Sequence, residues 1–380
     1  MRKVYLDNAA TTQVYDEVIT LMGDSMRQCF GNPSSIHHFG RTAKSLIENS
    51  RKGIAKHLGV SSSEIIFTSG GTEANNLILR NAVVNLGVTK IVTSKLEHHA
   101  VLRTVKSLEI EFGIELNFVE TNAQGKVDIV NLRSLLEEEI TGKTLVSLMF
   151  VNNEIGSILD VKKVASICEE YDALFHSDAV QAVGHFDVDL RALNVDFISA
   201  SAHKFHGPKG VGFAYFKEGH GVKPMLLGGE QEKGARAGTE PVHAIVGMEK
   251  ALDISIKHLE SGVKSILELK KLTIDLIQKS IPSIQFNAGS ENLKDTTATI
   301  LNIRLPLDSP FLLFNLDMKG IAVSGGSACQ SGSEAGSHVL GALLSPTDVS
   351  LTSMRISFST FTTKEDIVYF LASLEELLVK

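Results

Sequence analysis

The chain has little cysteine: three in 380 residues. That is too few for a disulfide framework, and the count is odd, so a reducing cytoplasmic setting is the simplest expectation. It lacks any apolar run near the roughly 18 residues that read as a membrane span. Its opening, Met1-Arg-Lys-Val-Tyr-Leu-Asp-Asn-Ala9, has no continuous apolar stretch, and no secretory signal is expected. A basic excess is missing as well. The 37 Lys and Arg are outnumbered by 44 Asp and Glu, a net charge of -7, which speaks against a direct nucleic-acid partner. There is no internal repeat and no disordered linker. What remains is an ordinary globular composition, 43% hydrophobic and 21% charged, on a chain long enough for more than one core.

The middle of the chain alternates strand-like and helix-like segments. Ile65–Thr68, Lys90–Ser94, Glu115–Glu120, Thr144–Val151, Leu174–Ser177, Val195–Ala200 and Val211–Phe216 read as strands. Thr72–Leu86, His99–Phe112 and Val161–Tyr171 read as helices between them. Such alternation predicts an α/β fold with a large, mostly parallel sheet, in which ligands sit at the carboxyl ends of strands. A long helical stretch follows Thr239 and runs to about Ser280. The pattern then changes to a strand at Ala298–Leu305, a helix at Ser309–Lys319, a strand at Ser353–Phe358 and a helix at Lys364–Leu378. Two domains are expected: a large α/β domain over 13–257, and a smaller α+β domain over 258–380 joined by residues 1–12.

Most of the segments able to carry chemistry follow a strand. Ser199-Ala-Ser-Ala-His-Lys-Phe-His-Gly-Pro-Lys-Gly210 places Lys204 between two apolar runs. Burial lowers an ammonium pKa, and a neutral amine forms a Schiff base with an aldehyde. The same composition also suits a surface turn. Thr68-Ser-Gly-Gly-Thr-Glu-Ala-Asn-Asn76 is a strand, a glycine turn and a helix start, an anion cradle or a plain capped turn. His176-Ser-Asp-Ala-Val-Gln181 puts Asp178 where it can pair with a pyridine nitrogen and Gln181 where it can donate to a phenolic oxygen. Its rivals are a helix cap by Asp178 and a metal pair of His176 and Asp178 that recruits His203 and His206. His98 can stack on a ring and move protons, and Asn153 can donate to and accept from a ligand. The glycine-rich run Gly228–Thr239 carries Arg236 and Thr239 and has the look of a further anion contact.

The cysteines divide. Cys168 follows Val161, Val164 and Ala165 at helical spacing and is expected in the core. Cys29 precedes a turn and has no evident activator. Cys329 lies in Ser324-Gly-Gly-Ser-Ala-Cys-Gln-Ser-Gly-Ser333, a small-residue stretch expected to be mobile, whose thiol can swing between two sites.

Taken together these blocks resemble the NifS/IscS-type cysteine desulfurases of the class-V aminotransferase family of pyridoxal phosphate (PLP) enzymes, which have the type I PLP-transferase fold with a seven-stranded-type sheet. The resemblance runs from Tyr5-Leu-Asp-Asn-Ala-Ala-Thr-Thr12 to Arg355–Ile367. It also includes Gly31–His37, Glu97–Val101, Val151–Gly156, Arg236–Thr239 and the segments already quoted. It implies that Lys204 is the Schiff-base lysine and His98 the ring-stacking histidine. Asp178 and Gln181 would serve the ring nitrogen and the phenolic oxygen. Thr72, Ser201, His203 and the backbone of Gly71 would hold the phosphate. Thr239 would reach the phosphate of a neighbouring subunit, which implies a homodimer. Asn153 and Arg355 would hold the carboxylate of L-cysteine, and Cys329 would be the nucleophile. No metal is implied. The expected activity converts L-cysteine to L-alanine and an enzyme persulfide, whose sulfur passes to an acceptor such as an iron–sulfur scaffold protein or a thiolation pathway.

The sequence departs from that pattern in two places. Gly325 stands where family members usually have serine, and Gly336 where they usually have proline; both changes are expected to loosen the loop. Its length fits the long-loop group I, and the Arg-x-Gly-His-x-Cys of the short-loop group is absent. An aminotransferase would not need Cys329, selenocysteine lyase activity stays open, and a non-catalytic binding homologue would not need the intact set.

Overall fold

The computed structural model describes residues 2–138, 140–325 and 336–378. Its strands, in chain order, are β1 (Val4–Tyr5), β2 (Ile65–Thr68), β3 (Val88–Ser94), β4 (Glu115–Val119), β5 (Lys143–Ser147), β6 (Leu174–Asp178), β7 (Phe197–Ser201), β8 (Gly212–Phe216), β9 (Gln285–Phe286), β10 (Ile300–Arg304), β11 (Ile321–Ala322) and β12 (Ser353–Ser357). Seven of them form one sheet in the order β2-β8-β7-β6-β5-β3-β4. Strand β8 alone runs against both its neighbours, and the other pairs are parallel. The α/β fold with a mostly parallel sheet is therefore as the sequence predicts.

The inner strands of this sheet are buried along most of their length because both faces are covered, as parallel sheets require. Alternate residues of one strand enter different cores: Ile65 and Phe67 face one, and Ile66 faces the other. The first core is closed by helices His38–His57, Val161–Glu170 and Val242–Lys257, the second by Gly71–Val84 and His99–Phe112.

A separate core surrounds the three-stranded antiparallel sheet β12-β10-β9. It is filled by Leu301, Ile303, Met354 and Ile356 from the strands and by helices Leu259–Ser280 and Lys364–Leu378. Val4 and Leu6 join it, because β1 pairs in parallel with β11.

The helical stretch expected from Thr239 to Ser280 is two helices, Val242–Lys257 and Leu259–Ser280, with His258 between them. The break has a packing reason. The first helix buries Ile245, Met248 and Leu252 in a sheet core, and the second buries Ile266, Leu269 and Ile277 in the smaller core. The strand expected at Thr144–Val151 ends at Ser147, where the chain turns out toward the cavity.

Strands β3, β5, β6 and β7 point the same way, and β2 matches β7 across the reversed β8. Their carboxyl ends therefore deliver Glu97–His98, Met149–Asn153, Asp178–Gln181, Ser201–Lys204 and Gly70–Thr72 to a single edge, the place for a ligand in such sheets.

Candidate active site

At that edge lies a cavity of about 250 Å³. Ten of the twelve residues expected from the sequence line it: Gly71, Thr72, His98, Asn153, Asp178, Gln181, Ser201, His203, Lys204 and Arg355. Thr239 does not; it is exposed on the loop before helix Val242–Lys257. Cys329 lies outside the described residues. A wider cleft, about 420 Å³, shares only Met149 with this cavity and holds none of the expected residues.

Lys204 ends a short 3-10 turn, Ala202–Lys204, directly after β7. Its Nζ donates to the carbonyl oxygens of Ala9 at 2.6 Å and Ala10 at 2.7 Å. Its own carbonyl meets His185 Nε2 at 2.8 Å. Thr12 bonds the carbonyl of His203 through both its amide and its hydroxyl, which holds the first dozen residues against the lysine turn.

Asp178 is the last residue of β6 and is 4% exposed. One carboxylate oxygen accepts from Asn75 Nδ2 at 2.7 Å and the other from the amide of Val180 at 3.0 Å. It caps a turn, not a helix. Gln181 donates its amide nitrogen to Ala9 O at 2.9 Å. An amide nitrogen has two protons, so one donor remains for a ligand.

His98 is the N-cap of helix His99–Phe112, and its Nδ1 accepts from the amide of Ala100 at 3.1 Å. That bond requires an unprotonated Nδ1, so the ring proton sits on Nε2. Burial lowers the pKa of His98; Lys204 and His338 lower it further, and Asp178 opposes them. The imidazole is thus held neutral at pH 7.

The cradle at Gly70–Thr72 depends on missing side chains. Gly70 has φ 150° and ψ -175°, a conformation nearly closed to other residues. A Cβ on Gly71 would stand 2.5 Å from Val180 Cγ2, a branched side chain with little room to turn. No side chain caps helix Gly71–Val84, so its first amides are open to an anion. Gly71→Val is expected to weaken cofactor binding roughly tenfold or more while the fold persists. Cofactor titration by absorbance, with far-ultraviolet dichroism as control, measures this.

Three buried polar atoms of the cavity residues have no partner among the described residues: Asn75 Oδ1, His203 Nδ1 and Arg355 Nε. Buried polar groups are normally bonded, so three around one cavity mark the place of a polar ligand. An open anion cradle, a carboxylate, a lysine amine and a neutral imidazole fit the phosphate, ring nitrogen and aldehyde of PLP. Arg355 completes the wall with its Nη2 on Asp7 at 2.8 Å and its Nη1 on the carbonyl of Asn153 at 2.7 Å.

Some expectations are corrected. Arg236 is not free for an anion, because it forks onto Glu73 at 2.9 and 3.3 Å. The histidines weighed as metal ligands are turned to other work. His176 Nδ1 meets Ser147 Oγ, and His206 Nδ1 meets Gln13 O while its ring stacks on Tyr15. Among the described residues no group of three or more His, Cys, Asp or Glu is placed to hold a metal. Separately from these corrections, a side chain on Gly325 would come within 2.7 Å of Leu313 Cδ1, and among the described residues nothing lies within 4 Å of a Cβ built on Gly336. Cys168 is buried in the core, as expected, and burial pushes its thiol pKa up; Cys29 is buried too.

Burial also holds His176, His203 and His206 neutral, each with a pKa of about 4. Lys204 and Lys209 add to the effect at His203. Unfolded histidine titrates near 6.5, so between those values the unfolded chain binds more protons. Stability is expected to fall as pH drops from about 6.5 toward 4. Unfolding midpoints across that range test this, and His176→Gln should flatten the slope.

The class-V aminotransferase family profile matches residues 4–370. A protein of Dictyoglomus turgidum named cysteine desulfurase IscS is 42% identical over 381 residues, covering 100% of this chain and 95% of that one. Among solved structures, one titled NIFS-like protein superposes with a TM-score of 0.91 at 36% identity, over 100% of both chains. Another, titled SspA in complex with cysteine, gives a TM-score of 0.80 at 30% identity, over 95% of this chain and 100% of that one. These matches span the whole architecture, including the edge where the cavity lies, and the chain belongs to the class-V aminotransferase family.

Proposed function

We propose that this chain is a PLP-dependent cysteine desulfurase, which takes sulfur from L-cysteine and releases L-alanine. The observation that carries this reading is the convergence of Lys204, His98, Asp178 and Arg355 on one cavity. The relative named cysteine desulfurase IscS, similar over the full chain, and the neighbour solved with cysteine support it.

Bound in the cavity, PLP supplies an electron sink for bond changes at the substrate's Cα and Cβ. The residues do the rest. Thr72, Ser201, His203 and the amide of Gly71 hold the phosphate. Asp178, steadied by Asn75, keeps a counter-charge for the ring nitrogen. Gln181 offers its remaining donor to the phenolic oxygen, and neutral His98 packs beside the ring. Lys204 anchors the cofactor; its freed amine takes the Cα proton, with the carbonyls of Ala9 and Ala10 ready to hold the resulting ammonium. Arg355 and Asn153 bind the carboxylate, which fixes L-cysteine in one orientation. The Cys329 thiolate attacks the substrate sulfur. A sulfur–sulfur bond forms, the carbon–sulfur bond breaks with its electron pair left on carbon, and protonation yields alanine.

In this reading the persulfide passes to an acceptor protein, such as an iron–sulfur scaffold, in the cytoplasm. Among the described residues no helix is long and apolar enough to cross a membrane. The exposure of Thr239, away from its own cavity, suits a homodimer in which it serves the partner's phosphate. The separate cores suit a large unit over 13–257 and a small one over 258–380 with 1–12. The decisive experiment incubates the purified holoenzyme with L-cysteine under reductant and measures alanine and sulfide. Equal amounts of both are expected. Pyruvate or a transferred amino group in their place would overturn the reading, and a strong preference for L-selenocysteine would move it to a lyase.

A further inference from the structure

Arg355 is a buried cation, with its side chain 2% exposed. A charge so placed needs a permanent counter-charge, and a long side chain needs something to stop it from folding away. Asp7 does both. Its Oδ1 accepts from Arg355 Nη2 at 2.8 Å, while Nη1 is tied to the carbonyl of Asn153. With two corners of the guanidinium fixed, its plane is set before any substrate arrives. The Nε, buried and without a partner among the described residues, is among the donors left for a ligand.

The same Asp7 oxygen accepts from the hydroxyl of Ser324 at 2.7 Å. Ser324 and Arg355 also exchange backbone bonds: Arg355 N to Ser324 O at 2.7 Å, and Ser324 N to Arg355 O at 3.3 Å. Five residues after Ser324 comes Cys329. One carboxylate oxygen therefore joins the guanidinium in the cavity wall to the start of the segment that bears the nucleophile. Asp7 is itself anchored. Leu6 N bonds Ala322 O, Asn8 Nδ2 bonds Ser357 O, and Ala9 N bonds Ser357 Oγ.

We propose that Asp7 is the positioning residue of the substrate-carboxylate site, and that through Ser324 it fixes that site in register with the chain leading to Cys329. This rests on the desulfurase reading of the cavity. Asp7 is not among the residues lining the cavity; it acts through Arg355.

The test compares two ligands on the holoenzyme by their effect on its visible spectrum. L-Alanine carries the carboxylate; ethylamine does not. Asp7→Asn is expected to weaken L-alanine binding roughly tenfold or more, the scale of one charged hydrogen bond, and to leave ethylamine within about twofold. The KM for L-cysteine should rise in step. Ser324→Ala should weaken L-alanine less. The double variant should fall short of the sum of the two, because both groups share one oxygen. Equal weakening of both ligands, or of neither, would overturn the proposal, and strict additivity would remove Ser324 from it. Arg355→Ala separates the two readings. If it leaves L-alanine binding unchanged, the substrate reading of the cavity fails. If it abolishes discrimination between the ligands while Asp7→Asn preserves it, only the role of Asp7 fails.

Discussion

Cys329→Ala is expected to cut alanine formation from L-cysteine by about a thousandfold or more, the scale seen when a covalent nucleophile is removed. The colour of the protein and its spectral response to L-cysteine should survive, because Lys204, His98, Asp178 and Arg355, which line the cavity, are unchanged. Loss of chemistry with binding intact is what separates a sulfur acceptor from a fold-stabilising residue. Mass spectrometry of the wild type after a single turnover supplies the positive half: one added sulfur atom on the peptide that contains Cys329. If the alanine variant still releases alanine at the wild-type rate, Cys329 is not the acceptor. Cys29 and Cys168 cannot easily replace it, since both are buried, and burial pushes the Cys168 thiol toward the protonated form, a poor nucleophile.

Lys204→Ala is expected to have the opposite signature. The yellow colour of a lysine-linked PLP should vanish, and turnover should fall by about a thousandfold or more, because anchoring and proton transfer are lost together. The structure adds a local cost. In the cofactor-free protein the carbonyls of Ala9 and Ala10 lose the Nζ donor, and among the described residues Ala9 keeps its bond from Gln181. Lys204→Arg distinguishes the two losses. It restores a donor for the carbonyls but offers no neutral amine at ordinary pH. Recovery of the unfolding midpoint without recovery of turnover is the expected result. Activity in either variant near that of the wild type would remove Lys204 from the chemistry.

Much of the fold is legible in the sequence because a doubly covered sheet writes itself as apolar runs. The runs at Ile65–Thr68 and Val211–Phe216 could hardly be anything but strands. The helix break at His258 is not legible, since the hydrophobic periodicity continues through it; only the existence of two separate cores demands the turn. Helices Asp16–Gln28 and His38–His57 are unmarked by the motif reading because they carry no chemistry and much of their surface is polar. In the cavity, the side chains that point at a ligand are visible as motifs. Their supports are less so. Asn75 lies inside a block already singled out, but nothing in its spacing says that it bonds Asp178. The Ala9 and Ala10 carbonyls leave no side-chain trace at all. Asp7 is visible as a residue but not as a partner of Arg355, because that pairing spans 348 positions.

That span bears on how the protein is made. The carbonyls that hold Lys204 belong to a segment whose own anchors are Ser357 and Arg355. A ribosome adding roughly 5–20 residues per second has finished every strand of the large sheet well before it reaches residue 355. For most of that interval, until β11 is made, Val4 and Tyr5 have no strand to join, and Arg355 does not exist until its end. The sheet and its glycine cradle can form early, but the wall opposite them is closed only when β12 has emerged and the two distant stretches have met. Maturation of the cavity is therefore a late step of biosynthesis, and a nascent chain halted before residue 353 would carry Lys204 on a finished sheet beside a half-built wall.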